Sequence, residues 1–346
     1  MTARWLTRDD LGAAARSATG LLLVSPDLSS AVPLDPRDHV LTVKALREAG
    51  VGERERVVVA LAEPAGALWT AAAADAAEAA ADVGPRGRMR LHHALTALKA
   101  TTLVTTPTGA MDFLARLHLE FLLDPLDLGL RNIVLTGEIA SRRTMAHLAG
   151  EFEARVTEVF GSPFTGGALA WRASEDDPLT PLADDALGLA ALTKDDSPDP
   201  AAGLAELVVT SAAGDTVLRT GQVARLDGAG IPAPAHTVGD HVLVRGVWLA
   251  LPRIEKALSK VDGVSGWDLA VSRQGTLDAA VLTVTFARAS LVRNPMWKSR
   301  ILQAVQALTP ISINVEIAQD VSEAPAPGTV NDLRGHHLGR DRALIT

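Results

Sequence analysis

The chain of 346 residues contains no cysteine and no tyrosine, and aromatic residues make up only 3% of it. Without cysteine there are no disulfides, no thiolate catalysis and no cysteine-bearing zinc site. A cytoplasmic location is the expectation that goes with this. With so few rings, the core has to be assembled from Ala, Leu and Val. There is also no apolar run of about 18 residues, the length that spans a bilayer. The richest apolar window, Ala65–Ala81, is interrupted by Asp75 and Glu78 and predicts a buried or amphipathic helix. A basic excess is missing too: 41 acidic residues face 33 Lys and Arg, for a formal charge of −8. That balance argues against a nucleic-acid binder, which needs a basic face. No membrane association is expected either. Arg4, Arg8, Asp9 and Asp10 precede an Ala-rich helix with no cleavage pattern, so no signal peptide is expected. Neither a Gly-Xaa-Ser-Xaa-Gly elbow nor a Gly-Xaa4-Gly-Lys-Ser/Thr loop occurs, which leaves a hydrolase or P-loop enzyme unsupported.

What is present is a chain 47% hydrophobic, long enough for two domains. Short apolar runs alternate with helical stripes. Leu21–Val24 and Arg56–Leu61 read as short buried strands, with a helix over His39–Ala49 between them. Helices are predicted over Gly66–Ala81, Arg90–Lys99, from Pro107, and over Ser141–Gly150. Strands are predicted at Thr102–Thr105, Ile133–Leu135 and Arg155–Val159. This alternation indicates an α/β domain with largely parallel pairing. Ser174–Ala202 reads as loop with short strands. Three separate strands follow at Glu206–Thr210, Val217–Thr220 and Gln222–Leu226.

The last hundred residues have a different rhythm. A strand at His241–Arg245 precedes a helix at Pro252–Val261. Strands at Asp268–Arg273 and Ala279–Phe286 follow, then a helix at Pro295–Leu308 and a strand at Ser312–Ile317. This is a βαββαβ order, expected for a small split α/β domain. Two prolines and two glycines in Gly230–Asp240 suggest a hinge, so domains are expected over 1–237 and 238–346. Beyond Ser322 the chain is rich in Pro and Gly and then basic, and a loosely ordered tail is predicted.

Set in this order, the segments resemble the adenylate-forming superfamily, specifically its phenylacetate–CoA ligase branch. "ADVGP" at 81–85 and "TPTGAMDFLARL" at 106–117 resemble the family's turn and the helix after it. "VLTGEIASRRTMAHLAGEF" at 134–152 is similar to its Gly-Ala-Glu loop and helix. "VFGSPFTGG" at 159–167 falls where these ligases carry Tyr-Gly-(Ser/Leu)-(Ser/Thr)-Glu. "LVVTSAAGDTVLRTGQVARL" resembles the strand leading to their Arg-Thr-Gly-Asp. "VLVRGVWLALPRIEKAL" resembles the opening of their mobile C-terminal domain and is the most specific match. The resemblance runs from about Leu6 to the tail, without the segment that normally precedes it. It implies a large multi-layer α/β domain and a small C-terminal one.

Such enzymes join an acid to AMP and pass the acyl group to CoA, which calls for four groups that the resemblance places in this chain. A glycine-rich phosphate loop should follow Val24, but Ser25–Pro33 has no glycine, and Pro26 and Asp27 stand within it. The magnesium-holding glutamate is replaced by Phe164, beside Thr165. The ribose-binding aspartate is replaced by Gln222, which offers one neutral acceptor oxygen. The tail lysine is missing, because the last lysine is Lys298; His336, His337, Arg334 and Arg340 are the substitutes at hand. Each lost charge stabiliser costs roughly 3–4 kcal/mol in the transition state. Three or four losses exceed ordinary divergence even when non-additivity is allowed for.

The expectation is therefore a degenerate ligase-like protein. Its pocket would involve Glu138, Phe160, Gly161, Ser162, Phe164, Thr165, Gln222 and Arg245. An aryl or acyl group, CoA or a protein partner is its candidate occupant, with ATP and magnesium not expected. Each residue has a plainer reading beside this one. Phe160 suits a core wall as well as a stacking platform. Glu138 suits a first-turn helix position. Arg219 and Arg245 suit structural ion pairs, and Gly246 backbone geometry. His92-His93 lacks partners at ligand spacing, so no metal is expected. The competing functional reading is an active acyl- or aryl-CoA ligase or acyltransferase. It would use Gln222, Thr165 and tail Arg or His residues in a rewired site. A structural subunit serving a catalytic homologue is a third.

Overall fold

A computed structural model describes residues 3–14, 22–24, 31–33, 36–85, 87–141, 143–199, 203–211, 214–226 and 228–345. The chain forms two compact units, which divide between Ala235 and His236.

The first unit starts with β1 (Arg4–Leu6) and α1 (Arg8–Ala14). Next, β2 (Leu22–Val24) and β3 (Ala31–Pro33) pair only with each other. Of the predicted buried strand at Leu21–Val24, residues 22–24 are half-exposed, and Leu21 lies outside the described residues. After α2 (Pro36–Glu48), β4 (Arg56–Ala60) and α3 (Ala65–Ala76) come β5 (Ala79–Asp82), α4 (Arg88–Ala97), β6 (Thr102–Thr105) and α5 (Pro107–Arg116). Then follow β7 (Asn132–Thr136), α6 (Thr144–Phe152), β8 (Arg155–Gly161), β9 (Ala168–Arg172) and β10 (Thr180–Pro181). These strands form a seven-stranded sheet in the order β10-β9-β8-β7-β6-β4-β5, parallel from β8 to β5.

The parallel strands β4, β6 and β7 are buried on both faces, which is why their centres read as apolar runs. On one face, Leu46 of α2 and Trp69 of α3 pack with Val57, Val59, Val104 and Val134. On the other, Leu95, Phe113 and Leu148 pack with Val58, Leu103 and Ile133. Both Trp69 and Leu103 are fully buried. One predicted helix is cut short. Gly66–Ala81 is helical only to Ala76, and Ala79–Asp82 is the edge strand β5. Alanine is at home in a helix, yet the open edge of β4 offers hydrogen-bonding groups. Glu78 donates its N–H to Glu55 O at 2.9 Å, and Arg56 holds its carboxylate at 3.1 Å. Tertiary pairing overrides propensity here.

The second sheet of this unit runs β1-β13-β12-β11, from β11 (Leu187–Ala190), β12 (Leu204–Thr210) and β13 (Thr216–Arg225). The predicted break before Gln222 is a bulge within one long strand. Gly221 has φ +73, and its N–H donates to Glu206 Oε1 at 2.8 Å.

The second unit holds β14 (His236–Thr237), β15 (His241–Val244), β16 (Val247–Ala250), α7 (Leu251–Leu258), β17 (Val264–Gln274) and β18 (Leu277–Phe286). It continues with α8 (Ala289–Val292), α9 (Pro295–Gln306), β19 (Ile313–Ile317) and β20 (Thr329–Asp332). Arg245 (φ +51) and Gly246 (φ +73) make a two-residue turn that folds β15 back on β16. The βαββαβ order is present, but its first strand closes a hairpin instead of joining the sheet. The sheet runs β19-β18-β17-β20, and its last edge is taken by the tail. The expectation of a loose tail is thereby corrected. β20 lies parallel to β17, and Arg334 just beyond it is buried between Asp278 and Asp332.

Candidate functional site

Parallel strands present their C-terminal ends on one edge of a sheet, and α/β proteins bind ligands there. In the seven-stranded sheet that edge carries the ends of β6, β7 and β8. After β6, Thr106 caps α5 by accepting from Gly109 N at 3.1 Å, and Pro107 occupies the first turn. After β7, Gly137 (φ +84) turns the chain so that Glu138 points back at α5. The Glu138 carboxylate accepts from Thr108 N at 2.9 Å and from Thr108 Oγ at 2.8 Å. The plainer of the two readings of Glu138, the first turn of its own helix, is corrected: it caps the neighbouring helix, because α6 does not begin until Thr144.

The end of β8 is the stretch 159–167. Phe160 lies in the core on the α2/α3 side of the sheet. Its core reading is the one the packing supports. Gly161 is pressed against β7: an added Cβ would lie 3.1 Å from Thr136 Oγ1 and 3.2 Å from Gly166 O. The loop from Ser162 to Gly167 satisfies itself. Ser162 N donates to Gly167 O and Gly166 N to Ser162 O, both at 2.7 Å. Ser162 Oγ accepts from Phe164 N at 3.3 Å and Thr165 N at 3.4 Å, and Thr165 Oγ1 accepts from Gly167 N at 3.1 Å. Trp69 of α3 clamps the loop by donating its indole N–H to Gly166 O at 2.8 Å.

Phe164 itself is 4% exposed and packs with Leu6 and Leu11. Arg8 lies over its ring, and the same guanidinium donates to Pro163 O. The ring thus fills an apolar niche closed by the N-terminal helix. No carboxylate stands at this position, and the hydroxyls of Ser162 and Thr165 in the same loop already hold backbone N–H groups. These residues do not fit a magnesium–nucleotide site. Of the segment expected as the phosphate loop, Ser25–Pro33, residues 25–30 lie outside the described residues and Ala31–Pro33 form β3.

Gln222 lies on β13, 6% exposed, with no partner for Oε1 among the described residues. Thr136 Oγ1, at the end of β7, is likewise buried without a partner. Arg219 is held by Glu206 at 2.7 Å and lies over the Trp5 ring, which is the structural role weighed for it. Arg245 donates Nε–H to Asp278 O at 2.5 Å, within the second unit.

The tail substitutes are committed elsewhere. Arg334 pairs with Asp278 and Asp332, and donates to Leu243 O at 2.9 Å. Arg340 pairs with Asp240 and Glu255, each at 2.6 Å. Burial pushes the His337 imidazole down to about 4, and burial with the nearby Arg334 charge lowers His336 as well. Neither histidine carries a standing charge at neutral pH, which corrects their reading as charge substitutes. His337 Nδ1 meets Thr237 Oγ1 at 3.1 Å, and the backbone N–H of His337 donates to Asp332 Oδ2 at 3.0 Å.

Of the candidates, Glu138, Phe160, Gly161, Ser162, Phe164 and Thr165 share the edge formed by β6 to β8. Gln222 sits on the other sheet of the same unit, and Arg245, His336 and His337 lie in the second unit. Three contributors were not anticipated. Arg8 touches Phe164 across 156 positions of sequence with no motif to announce it, Thr108 carries the bond to Glu138, and Thr136 supplies the unpartnered hydroxyl. The local signals that could have found the last two are a threonine in the first turn of α5 and one at the end of β7. Among the described residues no three His, Asp or Glu side chains gather into a metal-holding group; His92 packs at a tilt of 47° against Phe121, with ring centroids 5.5 Å apart.

No family model and no curated protein matches this sequence. Solved structures do. The chain is similar to a 2-hydroxyisobutyryl-CoA ligase in complex with 2-HIB-AMP and CoA, with a TM-score of 0.72 and 17% identity over 95% of this chain and 80% of that one. It is similar to a malonyl-CoA ligase with methylmalonyl-CoA and AMP bound, with a TM-score of 0.64 and 17% identity over 87% and 71%. It is also similar to the amide bond synthetase McbA from Marinactinospora thermotolerans, with a TM-score of 0.66 and 14% identity over 87% and 65%. The fold is that of the adenylate-forming enzymes, among them acyl- and aryl-CoA ligases. Among the described residues no helix is long and apolar enough to cross a membrane.

Proposed function

We propose that this chain is a phenylacetate–CoA ligase-like protein that has lost acid activation by ATP and keeps the pocket scaffold. The pocket would take an aryl or acyl group, CoA or a partner protein, in a biosynthetic setting. The observation that carries the reading is Phe164, buried in an apolar niche at the position where the resemblance calls for a metal-holding carboxylate. The committed hydroxyls of Ser162 and Thr165 and the committed arginines Arg334 and Arg340 support it. ATP–pyrophosphate exchange across a panel of aryl and fatty acids tests it. No acid-dependent exchange is expected, and clear exchange with any acid would overturn the reading. Thermal shift separates the occupants: a ligand raises stability only if it binds the folded state, so CoA should raise the midpoint and ATP·Mg²⁺ should not.

One observation favours the second reading, an acyltransferase or ligase with a rewired site. Gln222 Oε1 is a buried acceptor with no partner among the described residues, so it is free to receive a ligand hydroxyl. Exchange activity that disappears in Gln222→Leu would establish that reading in place of the first.

A further inference from the structure

Two surface residues of the first unit are poor choices for the backbone they occupy. Leu122 follows α5 and its π-helical extension, Leu117–Phe121, a form frequent at functional sites. It has φ +53, a left-handed conformation that suits glycine, because an L side chain crowds its own backbone there. Yet the Leu122 side chain is 83% exposed, so no core packing compensates. The reverse holds at Gly150, within α6. Glycine weakens a helix relative to alanine, and an added Cβ at this position would meet no atom within 4 Å. Neither backbone geometry nor close packing asks for leucine at 122 or glycine at 150.

Both positions line one groove. Its volume is about 580 Å³, and its lining includes His118, Leu122, Asp124, Leu126, Gly150 and Glu151. Leucine at 122 gives the groove an apolar wall, and glycine at 150 leaves its space open. Residues kept against local stability mark functional sites. The groove lies by the N-terminal ends of β7 and β8, which begin at Asn132 and Arg155, on the edge opposite the loop 159–167. No Lys or Arg lines it, and residues 117–128 hold Glu120, Asp124 and Asp127 with no Lys or Arg. Asp124 Oδ1 accepts from Leu126 N at 3.0 Å, and its Oδ2 has no partner among the described residues. Glu151 meets His118 Nε2 at 3.3 Å and His147 Nδ1 at 4.0 Å. Both contacts are longer than the roughly 2.7–2.9 Å of a charge-assisted bond, so this carboxylate still has room for a strong donor.

We infer that this groove binds a small amphiphilic amine, whose ammonium group donates to Glu151 and whose apolar body lies against Leu122 and Leu126. Charge complementarity selects the class: Asp124 and Glu151 repel a carboxylate or a phosphate, so the occupant is neither an acid nor CoA. The volume of about 580 Å³ falls in the range of small-molecule sites, roughly 300–1,000 Å³. A stable protein interface takes roughly 20–30 residues a side, whereas eight line this groove. The inference stands whether or not the pocket reading holds, since it uses none of the residues placed there.

The test uses the full chain and four probes: 4-phenylbutylamine, 4-phenylbutanol, 4-phenylbutanoate and a lysine-bearing amphipathic peptide. Ligand-observed NMR at millimolar concentrations reads binding, and hydrogen exchange locates it. The amine should bind, protect residues 147–152 of α6, and weaken as salt rises. The alcohol keeps the apolar body and should bind at least about tenfold more weakly, and the acid should leave α6 unprotected. Glu151→Gln should cost the amine at least about tenfold in affinity. Gly150→Leu should abolish amine binding, and Leu122→Gly should weaken it, with no fall in melting temperature in either variant. Should Gly150→Leu fold poorly, Glu151→Gln and the wild-type exchange pattern serve in its place. Four results would overturn the inference: no binding of the amine, equal binding of the alcohol, protection of α6 by the acid, or tighter binding of the peptide than of the amine. Amine binding that survives Glu151→Gln would overturn it as well.

Discussion

The guanidinium carbon of Arg8 lies 4.9 Å from the centroid of the Phe164 ring, so the first helix of the chain covers the residue that stands where a metal-binding carboxylate would be expected. A cation over a ring face is attracted by its quadrupole, and the contact closes an apolar niche shared with Leu6 and Leu11.

Phe164→Ala should therefore cost about 3 kcal/mol, since it removes a buried ring from a small cluster that cannot easily collapse. Phe164→Glu should be destabilising too and should not produce ATP–pyrophosphate exchange. Urea denaturation and the exchange assay check both; exchange gained by this one substitution would show that the other site positions are competent.

Glu138 holds the N-terminus of α5 through both its oxygens. Glu138→Ala should cost about 1–2 kcal/mol, and the loss should appear first as faster hydrogen exchange at Thr108 and Gly109. Unchanged protection there would mean that the cap is not formed in solution.

Gly166 has φ +79, and an added Cβ would stand 2.5 Å from Ala65 Cβ. Gly166→Ala should destabilise by more than about 1 kcal/mol and shift the loop away from Trp69. Loss of the Trp69 hydrogen bond gives a spectroscopic readout, a change in indole fluorescence.

His337 makes the second unit sensitive to acid. Its imidazole ionises near 6.5 when unfolded and near about 4 when folded, because burial disfavours the cation. Between those values the unfolded chain binds the extra proton. Stability is thus complete above about pH 6.5 and falls as the pH drops towards 4, by up to about 3 kcal/mol. His337→Phe should flatten this slope relative to wild type. Parallel pH profiles of the two urea midpoints would count against it.

Arg334 is buried between Asp278 and Asp332. Arg334→Met should cost roughly 3–5 kcal/mol, because two carboxylates are left without their cation. Arg334→Lys should rescue little of this, since one ammonium cannot reproduce bonds to both carboxylates and to Leu243 O. A midpoint close to wild type in either variant would refute the account of the tail.

The parallel strands β4, β6 and β7 were legible as apolar runs because burial on both faces favours apolar side chains at their centres; β8 carries buried Thr157 and Glu158 within its run, with Glu158 paired to Arg172. Thr106-Pro107 announced α5 through cap chemistry that is wholly local. The break between α3 and β5 was not legible: alanine serves both structures, and only the open edge of β4 decides. The same holds for β20, whose four residues have no apolar pattern of their own and are placed by β17 and by the ion pairs of Arg334. Of the candidate site, the loop 159–167 was legible in outline from its glycines and hydroxyls. Its partners Arg8, Trp69 and Thr136 were not, since they come from distant parts of the chain.

By itself the sequence determined which groups are available: no cysteine, no lysine after Lys298, phenylalanine at 164 and glutamine at 222. These are matters of composition and order, and no folding can alter them. Tertiary structure decided which of the remaining groups are free to act. Arg334 and Arg340 are spent in ion pairs, His336 and His337 are turned neutral by burial, and Ser162 and Thr165 hold their own loop. The reason is physical: a buried charge or hydroxyl must find a partner, and which partner is near depends on the fold.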